Sequence, residues 1–429
     1  MNGWFLKTYK ETVFYIIGLL KGGVFVLGAG RKKHSILLTL ALLLLTPFFV
    51  TSASLILNER KITSSNSMAD FTPAQLEERE PIIIQNDADF LNYDFPGNGT
   101  ESNPFVIEGL NISSEEEPCI SISNVIVSFI LRNCTLRTAY ALYPVIRLMF
   151  VHNSTIEENI IIGGSEGILG LQTSEFAIRG NTICDSTHCL KFINSLNITV
   201  LGNSIYRNSI GVDLDSTSQC FFSTNRIYAN RRFAGVGFRI DGTSDFNTFT
   251  SNLVGWNYWG IVPNNAIDDG SNNTWFGNSW SDYSPPGPYN ISGGAYFQDI
   301  LPSLLVDIEG PQINAPGDIV MGEGDPANIS WHSRDAFPLE YTLSINAEII
   351  SEGTWIYDEF SFDLQNLEPG DYDMILSVTD GSGNTTEDSV FVQVLYIWFP
   401  DIGTELVAYA SALSVVGLLV VLCLLKRRS

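Results

Sequence analysis

The chain has 429 residues and a formal net charge of -24, with 45% hydrophobic and 16% charged residues, a balance that excludes wholesale disorder and leaves room for two or three domains. The charge is unevenly spread: Met1–Lys61 holds eight Lys/Arg against two Asp/Glu, residues 426–428 add three more cations, and the stretch between carries twelve basic against 45 acidic residues. Such an acidic field repels phosphate backbones and excludes nucleic acid as a partner, whereas the basic ends suit the inner face of a membrane.

Residues 1–34 form a basic, partly apolar segment, within which Thr12–Gly30 is apolar but interrupted by Lys21 and the pair Gly22-Gly23. Ser35–Leu57 is uncharged and apolar behind Arg31, Lys32 and Lys33, the pattern of a signal peptide or signal anchor whose C-terminal side is exported, with Thr51-Ser52-Ala53 as a cleavage site. Residues 58–80 read as a polar linker. At the other end, Leu406–Leu425 offers twenty uncharged residues, enough to span a bilayer as a helix, and the basic tail 426–429 then stays cytoplasmic. Both ends place the middle of the chain outside a cell membrane. All nine N-x-S/T sequons, at Asn98, Asn111, Asn133, Asn153, Asn197, Asn272, Asn290, Asn328 and Asn384, fall between the apolar segments and are candidate glycosylation sites. Five cysteines fall there too, with Cys184 and Cys189 the expected disulfide pair.

From Ile146 four lines align without gaps at a period of 22 residues: IRLMFVHNSTIEENIII, ILGLQTSEFAIRGNTIC, LKFINSLNITVLGNSIY and VDLDSTSQCFFSTNRIY. One asparagine recurs at a fixed offset, Asn159, Asn181, Asn203 and Asn225, and Asn133, Asn252 and Asn278 continue it at wider spacing. Each line opens with period-two alternation, and long helical periodicity is missing. The expected architecture is all-β: a parallel solenoid over residues 81–305, one coil per repeat, with the asparagines hydrogen-bonded up the stack as a structural ladder. The I-x-x-N-x-I coils, the opening line from Pro81 and the closing phrase NNTWFGNSWSDY at Asn272–Tyr283 resemble the right-handed parallel β-helix proteins, in particular the NosD-like group of carbohydrate-binding and sugar-hydrolase β-helices. The resemblance looks most like membrane-anchored surface proteins of archaea. It implies a pectin-lyase-like fold and leaves the activity open, because that fold carries binders, lyases and hydrolases alike.

From Gly310 the repeat stops and short alternating strands with turns about every ten residues predict an immunoglobulin-like β-sandwich over residues 310–396. Leu367-Glu368-Pro369-Gly370-Asp371-Tyr372 resembles the tyrosine-corner turn of such modules, and its place before the C-terminal span suggests a stalk.

Two constellations could carry chemistry. Stacking the coils puts Arg147, Leu169, Lys191 and Asp213 in one outward column and Met149, Leu171, Ile193, Asp215 and Arg239 in the next, so Lys191, Asp213, Asp215 and Arg239 adjoin. They read either as catalytic groups of a polysaccharide lyase or glycoside hydrolase or as the salt bridges Lys191–Asp213 and Asp215–Arg239. No Asp-Asp with a following His-Gly in neighbouring coils accompanies them, so no catalytic set is assigned. Trp256, Tyr258, Trp259, Trp275 and Trp280 gather at one end, where they either close the last coil or stack on sugar. Histidine and methionine are scattered, so copper handling of the NosD kind has only Cys184, His188 and Cys189 as a ligand group; no cofactor is assigned, and calcium is the one ion the acidic turns, such as Asp241–Asp245, could take. The expected function is a membrane-anchored extracellular binding or structural protein whose partners are the membrane and polysaccharide or cell-surface glycans.

Overall fold

Within one repeat, Glu166–Leu171, Ser174–Arg179 and Thr182–Cys184 are strands separated by two-residue turns, and after three more residues the next coil opens at His188. A computed structural model describes residues 76–139 and 142–396. Parallel pairing sets each strand beside its equivalent 22 residues on, aligning Ile168 with Leu190, Phe176 with Ile198 and Ile183 with Ile205. Three parallel sheets result. The first has eight strands from Ile82–Ile84 to Ala266–Asp268, the second eight from Phe105–Glu108 to Thr274–Phe276, and the third ten from Glu77–Glu78 to Ser303–Leu304. Their inward side chains, among them Ile146, Leu148, Ile178, Ile183, Leu190 and Phe192, are fully buried in one core. Each such side chain contributes about 1.5–3 kcal/mol on leaving water.

The asparagine ladder closes the turn between the second and third sheets. Asn203 accepts at Oδ1 from the backbone N–H and the Nδ2 of Asn181, and its own Nδ2 donates to Asn225 Oδ1 and to the carbonyls of Ile178 and Leu201. Asn159, Asn181, Asn225, Asn252 and Asn278 repeat this geometry, all buried. Asn133 does not belong to it: the rung below Asn159 is Cys134, whose N–H donates to Asn159 Oδ1. Asn133 sits one residue earlier, exposed and at φ 51°, the left-handed position that Glu158, Gly180 and Gly202 hold in later coils. Asparagine is favoured there for its tolerance of that conformation, not for the ladder.

Two further ladders run beside the first. At the turn from third to first sheet, Ser186, Asn208, Asn230, Asn257 and Asn265 are linked in series; at the turn from first to second sheet, Thr173, Ser195, Thr217 and Ser244 are. Each rung donates to the next toward the C-terminal end, so the last rung of each ladder has a donor with no further rung to take it, and a carboxylate accepts instead: Asp299 from Asn278, Asp282 from Asn265, Asp241 from Ser244. A charged acceptor makes a stronger bond than an amide, which suits a terminal rung.

Residues 312–395 fold into a three-stranded sheet, Gln312–Asn314, Asn328–Arg334 and Glu359–Asp363, facing a five-stranded one, Ile319–Gly322, Pro338–Ile345, Glu348–Thr354, Gly370–Asp380 and Thr385–Leu395. Trp331, Trp355, Leu343, Met374 and Leu376 are buried in their shared core. Tyr372 Oη donates to the Glu368 carbonyl at 2.8 Å, fixing the turn read from the sequence. The module docks on the solenoid. Its Phe337 and Leu339 pack with Cys184, Tyr206 and Tyr228 on the outer face of the third sheet. Tyr206 Oη donates to Trp355 O and Tyr228 Oη to Pro338 O, both at 2.9 Å, Arg207 pairs with Glu340 at 2.5 Å, and Thr354 donates to Asp185.

The apolar segments Thr12–Gly30, Ser35–Leu57 and Leu406–Leu425 lie outside the described residues, among which no helix is long and apolar enough to cross a membrane.

Candidate functional site: a charged row on the first sheet

The first sheet turns its outward side chains to solvent, and in its middle coils several of these are ionisable, beside the apolar Leu169, Leu171 and Ile193. Pairing places Lys191 opposite Asp213 and Asp213 opposite Arg239, so Arg239 belongs to the column of Asp213 and not to that of Asp215. The cause is a loop around Arg231–Ala234 that lengthens this coil and stretches the spacing from Asp213 to Arg239 to 26 residues. Arg239 grips Asp213 with two hydrogen bonds, Nε to Oδ1 at 2.8 Å and Nη2 to Oδ2 at 2.6 Å, and Lys191 Nζ and His188 Nε2 each stand 3.9 Å from Oδ2. Asp213 is 3% exposed although it faces outward, because these three side chains close over it. Asp215 stands apart and exposed beside Ile193; among the described residues its carboxylate accepts from Ser216 Oγ.

The row extends to a residue that sequence reasoning passed over. Glu166 lies opposite His188, with His188 Nδ1 3.7 Å from Glu166 Oε1, and Ser165 Oγ donates to Oε2 at 2.6 Å. Burial alone would raise the Glu166 pKa; His188, the Ser165 hydroxyl and the Lys191 charge outweigh burial and hold it below the usual carboxylate range. The bond to Asp213 in turn lifts the Arg239 guanidinium above its ordinary value. At 3.7 Å the Glu166–His188 contact is too long for a hydrogen bond, so His188 Nδ1 is buried without a partner. The signal was available, since Glu166 and His188 are one 22-residue period apart at the first outward position of their strands.

The other candidates separate. Cys184 and Cys189 are both free and buried. Cys189 lines the solenoid core while Cys184 lies under the C-terminal module, and the alternation of the strand wall keeps them on opposite sides of it. With His188 on the first sheet's outer face, Cys184, His188 and Cys189 do not converge. Burial pushes the thiol of Cys134 up to about 11 and that of Cys220 up to about 12. Trp275 and Trp280 are 2% and 0% exposed and close the last coils over the core, so they present no face to a sugar. Trp256 packs edge-on against Phe337, and Tyr258 carries the Arg231 guanidinium 5.5 Å from its ring centroid. Trp259 lies on the short strand Tyr258–Trp259.

In the acidic turn, Asp241 is spent on the backbone and hydroxyl donors of Ser216, Thr243 and Ser244, and Asp245 on Ser271. Asp268 is buried and accepts from Trp275 Nε1 and Asn273 Nδ2. Among the described residues, the acidic or soft side chains whose geometry could hold a divalent cation such as calcium are Asp307, Asp335 and Asp380, with donor atoms within 4.8 Å of one another. Burial, with Asp380, Asp335 and Glu309 nearby, pushes Asp307 up to about 6. A folded-state pKa above the unfolded value of about 3.9 means the folded chain holds the proton more tightly, so stability falls as pH rises from about 4 through 6. In buffer containing a chelator, Asp307→Asn is expected to raise the melting temperature by about 1–3 °C at pH 7 and to leave it unchanged at pH 4, a small effect because Asp307 is partly solvated. An equal shift at both values would assign the effect to packing.

Residues 128–298 match the family described as periplasmic copper-binding protein (NosD). The NosD match and the parallel sheets agree: the solenoid is similar to that β-helix family over the repeats that contain the charged row. No curated protein matches the chain in sequence. Among solved structures, an alginate lyase from Paenibacillus sp. is 12% identical over 47% of this chain and 76% of its own, with a TM-score of 0.36. The titin M3 domain is 14% identical over 20% of this chain and 97% of its own, with a TM-score of 0.18, and the fibronectin(III)-like modules of Clostridium thermocellum CbhA are 14% identical over 20% and 96%, with a TM-score of 0.17.

Proposed function

We propose that the chain is an exported, membrane-anchored surface protein whose NosD-like solenoid binds polysaccharide, free or in the cell envelope, along the outer face of its first sheet. The observation that carries this reading is the row Glu166, His188, Lys191, Asp213 and Arg239. Five ionisable side chains meet on an open sheet face, two of them carboxylates more than four-fifths buried, and a histidine nitrogen is left without a partner. Opposite charges alone would give a small stabilisation. A preformed set of amine, guanidinium and imidazole donors, with Lys191 and His188 on one strand and Arg239 two coils on, also suits the hydroxyls and carboxylates of a sugar chain laid along the solenoid. Export and anchoring rest on Ser35–Leu57 and Leu406–Leu425 with their basic flanks. We read the C-terminal module as immunoglobulin-like on its two facing sheets and the Tyr372 turn, and as the piece that fixes the solenoid to the membrane end of the chain.

The reading is tested with the full chain in lipid nanodiscs on a polysaccharide array, with product assays on every hit. Lys191→Ala is expected to weaken binding at least tenfold while shifting the melting temperature by no more than about 1–2 °C, because Lys191 meets Asp213 only at 3.9 Å. Arg179→Ala, an exposed cation on the second sheet, is expected to bind as wild type. Binding equally weakened by both substitutions would reject the first sheet as the contact face. New reducing ends or unsaturated uronates that vanish in Asp213→Ala would make the protein a hydrolase or lyase instead.

A further inference from the structure

The nine sequons are not distributed as the other asparagines are. The six buried rungs of the main ladder, Asn159, Asn181, Asn203, Asn225, Asn252 and Asn278, all lack a Ser or Thr two residues on. The sequon asparagines all lie outside the ladders. Seven of them, Asn98, Asn133, Asn153, Asn197, Asn272, Asn290 and Asn328, are exposed. Among the described residues none of these seven donates a hydrogen bond from its side-chain nitrogen: Asn98 and Asn290 only accept, at Oδ1, from Thr100 and from Gln298. The remaining two differ. Asn111 is half-buried and its Nδ2 donates to Glu78 at 2.6 Å, and the half-buried Asn384 uses Nδ2 to hold the Asp307 and Glu309 carbonyls, the Asp380 carboxylate and the Ser382 hydroxyl.

A second regularity concerns position. Asn133, Asn153 and Asn272 lie in turns, Asn197 on a strand of the second sheet, Asn98 and Asn290 near the two ends of the solenoid, and Asn328 on the C-terminal module. No sequon falls on a strand of the first sheet. Turn propensity explains why asparagine stands at the left-handed positions 133, 153, 197 and 272; it does not explain the hydroxyl residue two places on in each case, nor the absence of sequons from the first sheet.

We propose that Asn98, Asn133, Asn153, Asn197, Asn272, Asn290 and Asn328 carry N-linked glycans, that Asn111 and Asn384 do not, and that the pattern leaves the first sheet's outer face bare for its own ligand. This rests on the exported reading above. Transfer forms a bond from the asparagine Nδ2 to the anomeric carbon of a lipid-phosphate-linked oligosaccharide, breaks that carbon's bond to the phosphate oxygen, and releases the lipid phosphate and one amide proton. Glycans at the seven exposed positions project into solvent without breaking a contact. At Asn384 the same bond would displace the interactions that pin its hairpin to residues 307–309.

The test takes the full-length protein from the cells that make it, labels surface protein with a membrane-impermeant biotin reagent, and weighs proteolytic peptides. The expected result is a labelled protein with sugar masses on the seven peptides, each lost on its own Asn→Gln substitution, and unmodified peptides for Asn111, Asn384 and the ladder asparagines. Sugar on Asn111 or Asn384, or a surface-labelled protein bare at most of the seven, overturns the proposal while sparing export. A protein that is neither labelled nor glycosylated overturns export itself.

Discussion

Asn203→Ala is expected to destabilise the solenoid by about 3–5 kcal/mol, and Asn133→Ala by no more than about 1 kcal/mol, although the two asparagines look alike in the sequence. The difference follows from what each amide touches. Removing Asn203 takes the acceptor from the N–H and Nδ2 of Asn181 and the donor from Ile178 O, Leu201 O and Asn225 Oδ1, all inside a dry turn. Each buried group left unpaired costs roughly 1–3 kcal/mol, and partial rearrangement brings the sum below simple addition. Asn133 is exposed, and its replacement loses only its tolerance of φ 51°. Chemical denaturation, with amide exchange across residues 178–205, measures both. Stack units interact mainly with neighbours, so exchange should accelerate in the adjoining coils before the ends respond. A cost below about 1 kcal/mol for Asn203→Ala would show that the backbone ladders alone hold the coils in register.

The same pair of residues marks how far the sequence could be read. The 22-residue period, the parallel stacking and four consecutive rungs were legible because nothing is inserted between Ile146 and Tyr228, so equal spacing in the sequence is equal height in the stack. Insertions defeat that rule. The short turn before Asn159 moved the rung to Cys134, and the loop at Arg231–Ala234 moved Arg239 into register with Asp213. The second asparagine ladder at Asn208, Asn230 and Asn257 fell in the short connections outside the aligned lines, and its lower rung is a serine, Ser186. The hydroxyl ladder was harder still, because serine and threonine also populate ordinary turns. In the C-terminal module the tyrosine turn was legible from six residues, whereas its docking on the third sheet was not, since Cys184, Tyr206 and Tyr228 read as the outward residues of a solvated strand until the module covers them. The candidate site was half legible: Lys191, Asp213 and Arg239 were found as a group, and His188 was drawn away by its cysteine neighbours.

Trp280→Ala is expected to cost about 3–5 kcal/mol and to lower thermal stability before it affects any ligand. Trp280 is fully buried at the C-terminal end of the solenoid, stacks on Tyr289 with centroids 4.2 Å apart, and adjoins Trp275, which lies 4.0 Å from Phe249. Its indole N–H also donates at 3.2 Å to Asp299 Oδ2, the oxygen on which the main asparagine ladder ends. Truncation therefore opens a cavity under the last coil and loosens the carboxylate that satisfies Asn278, coupling the apolar cap to the polar ladder. Tyr258→Ala is the contrasting case: that ring is half-buried and meets Arg231 by a cation–π contact, so its loss should cost about 0.5–1.5 kcal/mol. Melting curves and polysaccharide binding of both variants separate the two roles of the aromatic group. A Trp280→Ala protein that melts as wild type but no longer binds polysaccharide would move the sugar contact from the first sheet to the solenoid's end. A protein that loses its cooperative transition fixes these tryptophans as the closure of a core that would otherwise end in open Ile and Val side chains.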